Sequence, residues 1–101
     1  MDDLANQLIG VWHTDPGDVH ALESYGRVTL SFTKDRRLVY TIHAGGKDEI
    51  ILLSYRVEGQ FLVTDQPSQP NEERTPFSIT PDGNLILRYE EHESTYIRLE
   101  S

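Results

Sequence analysis

The chain reads as an all-β protein: a compact eight-stranded up-and-down antiparallel barrel with a short N-terminal helix. Three observations carry that expectation. Short runs of alternating apolar and polar residues recur along the chain, and turn signatures of hairpin length separate them. Leu8-Ile9-Gly10-Val11-Trp12 holds the only Trp, placed to plug a barrel end from the start of the first strand. Sequential hairpins favour a meander, and a meander of this many strands removes its exposed edges by closing on itself. An open, strongly curved sheet of the same strands is the alternative.

Taken in order, residues 2–9 begin with Asp2 and Asp3, acceptable at a helix start, and place Leu4, Leu8 and Ile9 at helical spacing. Gly10 ends this helix of one or two turns, and residues 11–14 run extended. Residues 14–24 contain Asp15-Pro16-Gly17-Asp18, a strong turn signal, and form a long first connection across one barrel mouth. Val28, Leu30 and Phe32 then alternate with Arg27, Thr29 and Ser31, the pattern of a half-buried strand. Residues 33–36 make a tight turn anchored by Asp35, and Leu38, Tyr40 and Ile42 complete the hairpin.

Ala44-Gly45-Gly46-Lys47 is the next turn, leading into the most apolar strand, residues 49–57. Its Ile51, Leu53, Tyr55 and Val57 point one way and Ile50 and Leu52 the other, which implies a partly covered outer face near its start. Glu58-Gly59 reads as a two-residue hairpin turn. In the strand at 61–64 the inward pair is either Phe61 and Val63 or Leu62 and Thr64.

Residues 65–73 (DQPSQPNEE) hold two prolines and no apolar residue, the composition of a mobile loop. Phe77 and Ile79 begin the next strand, with Pro76 marking an edge or a strand entrance. Thr80-Pro81-Asp82-Gly83 is a turn, Leu85, Leu87 and Tyr89 alternate with Ile86 and Arg88, and residues 90–93 turn again. Residues 95–99 close the chain, with Tyr96 and Arg98 on one face. The expected inward or sealing set is Trp12, Val28, Leu30, Phe32, Leu38, Tyr40, Ile42, Leu53, Tyr55, Phe77, Leu87 and Arg98.

Composition bounds the function. The chain's 101 residues leave room for one domain with one core. With no Cys there is no disulfide framework, thiolate metal site or Cys nucleophile, which fits a reducing compartment. Met1-Asp2-Asp3-Leu4 lacks the basic and apolar regions of a signal peptide, and no apolar run approaches the roughly 20 residues a membrane helix needs, so a cytoplasmic location is expected. A net charge of −8 argues against nucleic acid and anionic membrane as partners. The acidic surface suits a basic protein partner, or it simply keeps the chain soluble.

Gly10-Val11-Trp12, with a helical turn before it and Arg98 in the last strand, resembles the calycin group: lipocalins, fatty-acid-binding proteins, avidins and small bacterial lipocalin-like domains. The G-x-W matches the start of their first strand, and Arg98 matches the Arg that lies across the Trp ring in these folds. An Arg stacked on an exposed indole face gains about 0.5–2 kcal/mol. Its N–H groups also suit the carbonyls at the end of the preceding helical turn. The chain is shorter than lipocalins proper, lacks their Cys and C-terminal helix, and leaves too few residues at 14–24 for the helix-turn-helix lid of fatty-acid-binding proteins. The likeness is therefore to the small bacterial lipocalin-like domains, and it implies a non-enzymatic barrel with structural roles for Gly10, Trp12 and Arg98.

The candidate ligand-binding residues are Tyr40, Tyr55, Tyr89, Tyr96 and Arg98. Tyr96-x-Arg98 resembles, in reverse order, the Arg-x-Tyr arrangement by which fatty-acid-binding proteins hold a carboxylate, and an Arg bidentate to a carboxylate is sound chemistry. Against this stands a purely structural Arg98, claimed by Trp12. The four tyrosines fall on the inward faces and either line a small polar pocket or send their hydroxyls to a rim. His13, His20, His43 and His92 show no metal-binding spacing, although His13 and His43 could meet at a rim. Glu90-Glu91-His92-Glu93 reads as a solvated turn, and no catalytic motif, cofactor or metal is expected.

Three functions follow. A small-molecule carrier would hold an apolar or weakly acidic ligand in an interior space of about 300 Å³ or more. An acidic interaction module, of inhibitor or immunity type, would have a filled barrel and an exposed acidic and aromatic cluster. An enzyme would need at least two histidines converging in a cleft. The chain would act as a monomer or a homodimer.

Overall fold

The structure, a computed structural model, describes residues 3–68, 70–89 and 92–98, without the side chains of residues 3–5, 24, 25, 44 and 89. Helix α1 (Asp3–Leu8) leads into β1 (Gly10–Thr14), and helix α2 (Val19–Tyr25) leads into β2 (Arg27–Phe32). There follow β3 (Arg37–Ala44), β4 (Lys47–Glu58), β5 (Phe61–Asp65), β6 (Glu73–Ile79), β7 (Leu85–Tyr89) and β8 (His92–Arg98). Each strand pairs antiparallel with the next, and β8 returns to β1 with Trp12 opposite Arg98 and Thr14 opposite Tyr96. The barrel is closed, as the alternation and turn spacing predict, and the open-sheet alternative falls.

Antiparallel order gives the barrel two unlike ends. Helix α1 and the links β2–β3, β4–β5 and β6–β7 lie at one end; α2, β3–β4, β5–β6 and β7–β8 lie at the other. The core is built from the inward set the alternation picks out, with Leu8, Leu62, Leu85 and Tyr96 added to it. Tyr40, Ile42 and Leu53 are only partly buried against it, which already locates empty space toward the second end.

Four local expectations need correction. The connection over residues 15–26 holds a second helix: Asp18 caps α2 by accepting the Ala21 N–H, and Gly26 closes it by donating to the Leu22 carbonyl. Strand β6 starts at Glu73 rather than at Phe77, because backbone pairing of residues 73–76 with β5 needs no apolar side chains. Pro76 is therefore internal. Phe77 directs its N–H to Gln60 in the β4–β5 turn, and the N–H that Pro76 lacks falls where β7 has no partner in register. The outer face of β4 is not covered: Ile50 is 61% and Leu52 63% exposed. The turn after β4 is Gly59-Gln60, one residue further on, with Gly59 at φ +61°.

The β5 ambiguity resolves in favour of Leu62 and Thr64 inward. Val63 is nonetheless buried, on the outer face, because Arg56 and Arg74 flank it across the two ladders. Those arginines are tied together by Glu58, which bonds both, while Glu72 bonds Arg56 and Arg74 stacks on the Phe61 ring at 5.1 Å. Hydrogen bonds from Arg56 and Arg74 hold the Glu58 carboxyl below the usual carboxylate range, and the bonds that Arg56 makes to Glu72 and then Glu58 push its guanidinium further up. The stems of these side chains shield an apolar residue that would otherwise face water.

Candidate functional site: an apolar cavity open at one barrel mouth

The sealed end is set by three residues. Trp12 is fully buried and donates its Nε1–H to the Leu8 carbonyl at 2.9 Å, tying the plug to the end of α1. Arg98 lies over the indole with its guanidinium carbon 4.2 Å from the ring centroid. Its Nη1 donates to the Ile9 carbonyl at 2.9 Å and its Nη2 to the Gln7 carbonyl, satisfying acceptors left free where α1 ends. Gly10 adopts φ +133° beneath the guanidinium.

Away from that end the interior opens into a cavity of about 350 Å³. Leu30, Leu38, Tyr40 and Ile42 from β2 and β3, Ile51 and Leu53 from β4, Leu62 from β5 and Leu87 from β7 form its apolar wall. Its polar groups cluster on the β5–β6 side of the mouth: Thr64, Gln66, Glu73 and Thr75. The register explains the cluster. Thr64 is opposite Glu73 and Leu62 opposite Thr75, so Glu73 and Thr75 share the inward face with Phe77 while Arg74 points outward. Alternation carried back from Phe77 would have found Glu73; the polar composition of the segment hid it.

Of the sequence-predicted residues whose side chains are described, only Tyr40 lines this cavity. Tyr55 is buried, donates its hydroxyl to the Thr33 carbonyl at 2.9 Å and packs edge-on to Phe32 at 5.0 Å between centroids, outside the cavity wall. Burial pushes its phenol above the ordinary tyrosine value, in spite of the neighbouring Arg36. Tyr96 is buried in the core and does not line the cavity, and the side chain of Tyr89 lies outside the described residues. Arg98 is held at the sealed end. Among the described residues no Lys, Arg or His lines the cavity.

The histidines form two further groups. His20 on α2 and His92 on β8 are hydrogen-bonded, Nε2 to Nδ1, at 2.8 Å. The Asp18 carboxylate accepts the Thr95 N–H as well, so α2 is tied to β8 across one side of the open mouth. Part of the expected 90–93 turn lies outside the described residues, and within it His92 and Glu93 belong to β8, with Glu93 paired to Arg88.

His13 and His43 both line a recess of about 230 Å³ on the outer face, beside Arg27 and Thr29. His43 bonds Asp48 through Nδ1 at 3.0 Å and Thr29 Oγ1 through Nε2 at 2.8 Å. The tautomer with Nδ1–H toward the carboxylate leaves Nε2 to accept the Thr29 hydroxyl, which orients an imidazole beside a hydroxyl group. Among the described residues no group of three or more His, Cys, Asp or Glu side chains is placed to hold a metal ion. None of the described helices is long and apolar enough to cross a membrane. No protein-family model, curated protein or solved structure matches the chain.

Proposed function

We propose that this chain is a non-enzymatic lipocalin-like domain that holds a small apolar ligand inside its barrel. One observation carries the reading: a 350 Å³ interior cavity, walled by aliphatic side chains and one tyrosine, with its polar groups confined to one side of the mouth. That volume falls within the range of small-molecule sites, and the arrangement lets an apolar body sit deep while a polar end stays at the rim. The sealed end supports the same reading, since Trp12 and Arg98 hold that end closed without filling the space beyond it. The rival interaction module calls for a filled barrel, so the cavity favours ligand binding over it.

Titration with the neutral fluorescent probe N-phenyl-1-naphthylamine tests the proposal. Saturable one-to-one binding is expected, and Leu53→Trp, which fills the cavity, should abolish it. Absence of saturable binding in the wild type, together with a bare mass in native mass spectrometry of protein from its own host, would overturn it.

A second reading, general-base chemistry at the outer recess, draws on the Asp48–His43–Thr29 chain of hydrogen bonds. The His43 and Asp48 side chains are 33% and 58% exposed, so water screens the relay and weakens it. Hydrolysis of p-nitrophenyl acetate that is lost in His43→Ala and retained in His20→Ala would favour this reading over the first.

A further inference from the structure

We propose that the barrel mouth selects ligands with an apolar body and a protonated amine head, the ammonium resting on Glu73. The inference rests on the ligand-binding reading above and names the class of ligand. It stands on what lines the cavity and on what does not. Below the mouth the wall is aliphatic except for Tyr40; among the described residues at the mouth every charged or polar side chain in the lining is a hydroxyl, an amide or a carboxylate, and none is a cation. A carboxylate ligand, the weak acid that Tyr96-x-Arg98 would have held, finds no positive partner here. It would instead be pressed against Glu73.

The sheet register leaves Glu73 without an internal neutralising partner. Arg74 follows it in the chain but lies on the opposite face, engaged with Glu58 and Phe61, and Arg56 is engaged with Glu58 and Glu72 on the same outer face. Among the described residues Glu73 has no ion pair. Thr64 stands directly across from it and Thr75 lies one inward position deeper, so an ammonium on Glu73 also meets two hydroxyl acceptors. On β4, Glu49 shares the inward face of Ile51 and adds negative charge toward the mouth. Lys47 is on that face too, at the exposed first residue of the strand, and does not line the cavity. The chain's net charge of −8 adds a field of the same sign.

The test compares three probes with one two-ring body: 1-naphthylmethylamine, 1-naphthalenemethanol and 1-naphthoic acid, titrated by calorimetry at pH 7 and low salt. The amine is expected to bind about tenfold more tightly than the acid, the scale of one attraction gained and one repulsion removed at a partly exposed charge, with the alcohol between them. Added salt should narrow the gap. Glu73→Gln should bring amine and acid together, and a melting temperature near that of the wild type shows that the variant barrel is intact. If the alcohol binds and the amine and acid bind equally, or the acid binds more tightly, the charge selection is overturned and the ligand-binding reading stands. A preference that survives in Glu73→Gln overturns the assignment to Glu73. If none of the three binds, both readings fall.

Discussion

A Cβ placed on Gly10 would lie 2.6 Å from Nη1 of Arg98, closer than side-chain carbons approach other atoms. The pair explains why Gly10, Trp12 and Arg98 work as a unit. Trp12 faces inward two residues after Gly10 and stands opposite Arg98 in the β1–β8 ladder. The guanidinium that covers the indole must therefore pass over the Gly10 backbone to reach the Ile9 and Gln7 carbonyls. The backbone at φ +133° and the close approach both demand glycine.

Gly10→Ala should accordingly lower unfolding stability by about 2 kcal/mol, from backbone strain plus displacement of the guanidinium. The guanidinium is the far end of a flexible side chain and can move, but moving breaks its stack and its carbonyl bonds. A denaturant midpoint equal to that of the wild type would show that neither constraint matters.

The same geometry makes Trp12 and Arg98 energetically coupled. Trp12→Ala should cost about 3–5 kcal/mol through loss of a fully buried aromatic plug. Arg98→Ala should cost about 1–2 kcal/mol through the stack and two hydrogen bonds. The double variant should lose less than the sum by about 0.5–2 kcal/mol, because the stack is counted in both single losses. Additive losses in chemical denaturation would mean that the two residues act separately.

Ser94 is the opposite case, a residue the barrel holds at a cost. It is fully buried on β8 opposite Leu87, and among the described residues its Oγ is the one buried side-chain polar atom without a hydrogen-bond partner. Leaving a hydroxyl desolvated and unpaired costs about 1–3 kcal/mol. Ser94→Ala removes that penalty with almost no change in volume and should raise stability by about 1 kcal/mol, read as a higher melting temperature. A lower one would mean that the hydroxyl has a stabilising role.

How far the sequence reached depends on which physics set each feature. Strand existence and closure follow from period-two alternation and short turns, and both are visible in residues such as Val28, Leu30 and Phe32. Helix α2 escaped because its capping Asp18 sits within an Asp-Pro-Gly-Asp turn signature and, among its described side chains, the buried face comes down to Ala21 and Leu22. The first half of β6 escaped because pairing with β5 is a backbone matter, indifferent to Glu73 and Arg74. The cavity was least legible. Its volume depends on where inward side chains end rather than on which face they occupy: Tyr55 reaches Thr33 and Tyr96 fills the core, whereas Tyr40 stops at the wall. Glu73 was therefore recognised as loop composition and not as the charged group at the mouth.

Tyr55 should make the stability of the protein fall at alkaline pH. Burial holds its phenol protonated above the ordinary tyrosine value of about 10, and its hydroxyl donates to the Thr33 carbonyl at 2.9 Å. The folded state therefore binds this proton more tightly than the unfolded chain does. With the folded value raised, the stabilisation is fully present below the unfolded value near pH 10 and is lost as pH rises through the folded value. Tyr55→Phe should cost about 1 kcal/mol at neutral pH through the lost hydrogen bond, and it should flatten the decline in melting temperature above about pH 10. Wild type and variant curves that run parallel across the alkaline range would show that Tyr55 does not titrate in the unfolding equilibrium. Curves that converge there would assign the alkaline decline to this one buried phenol.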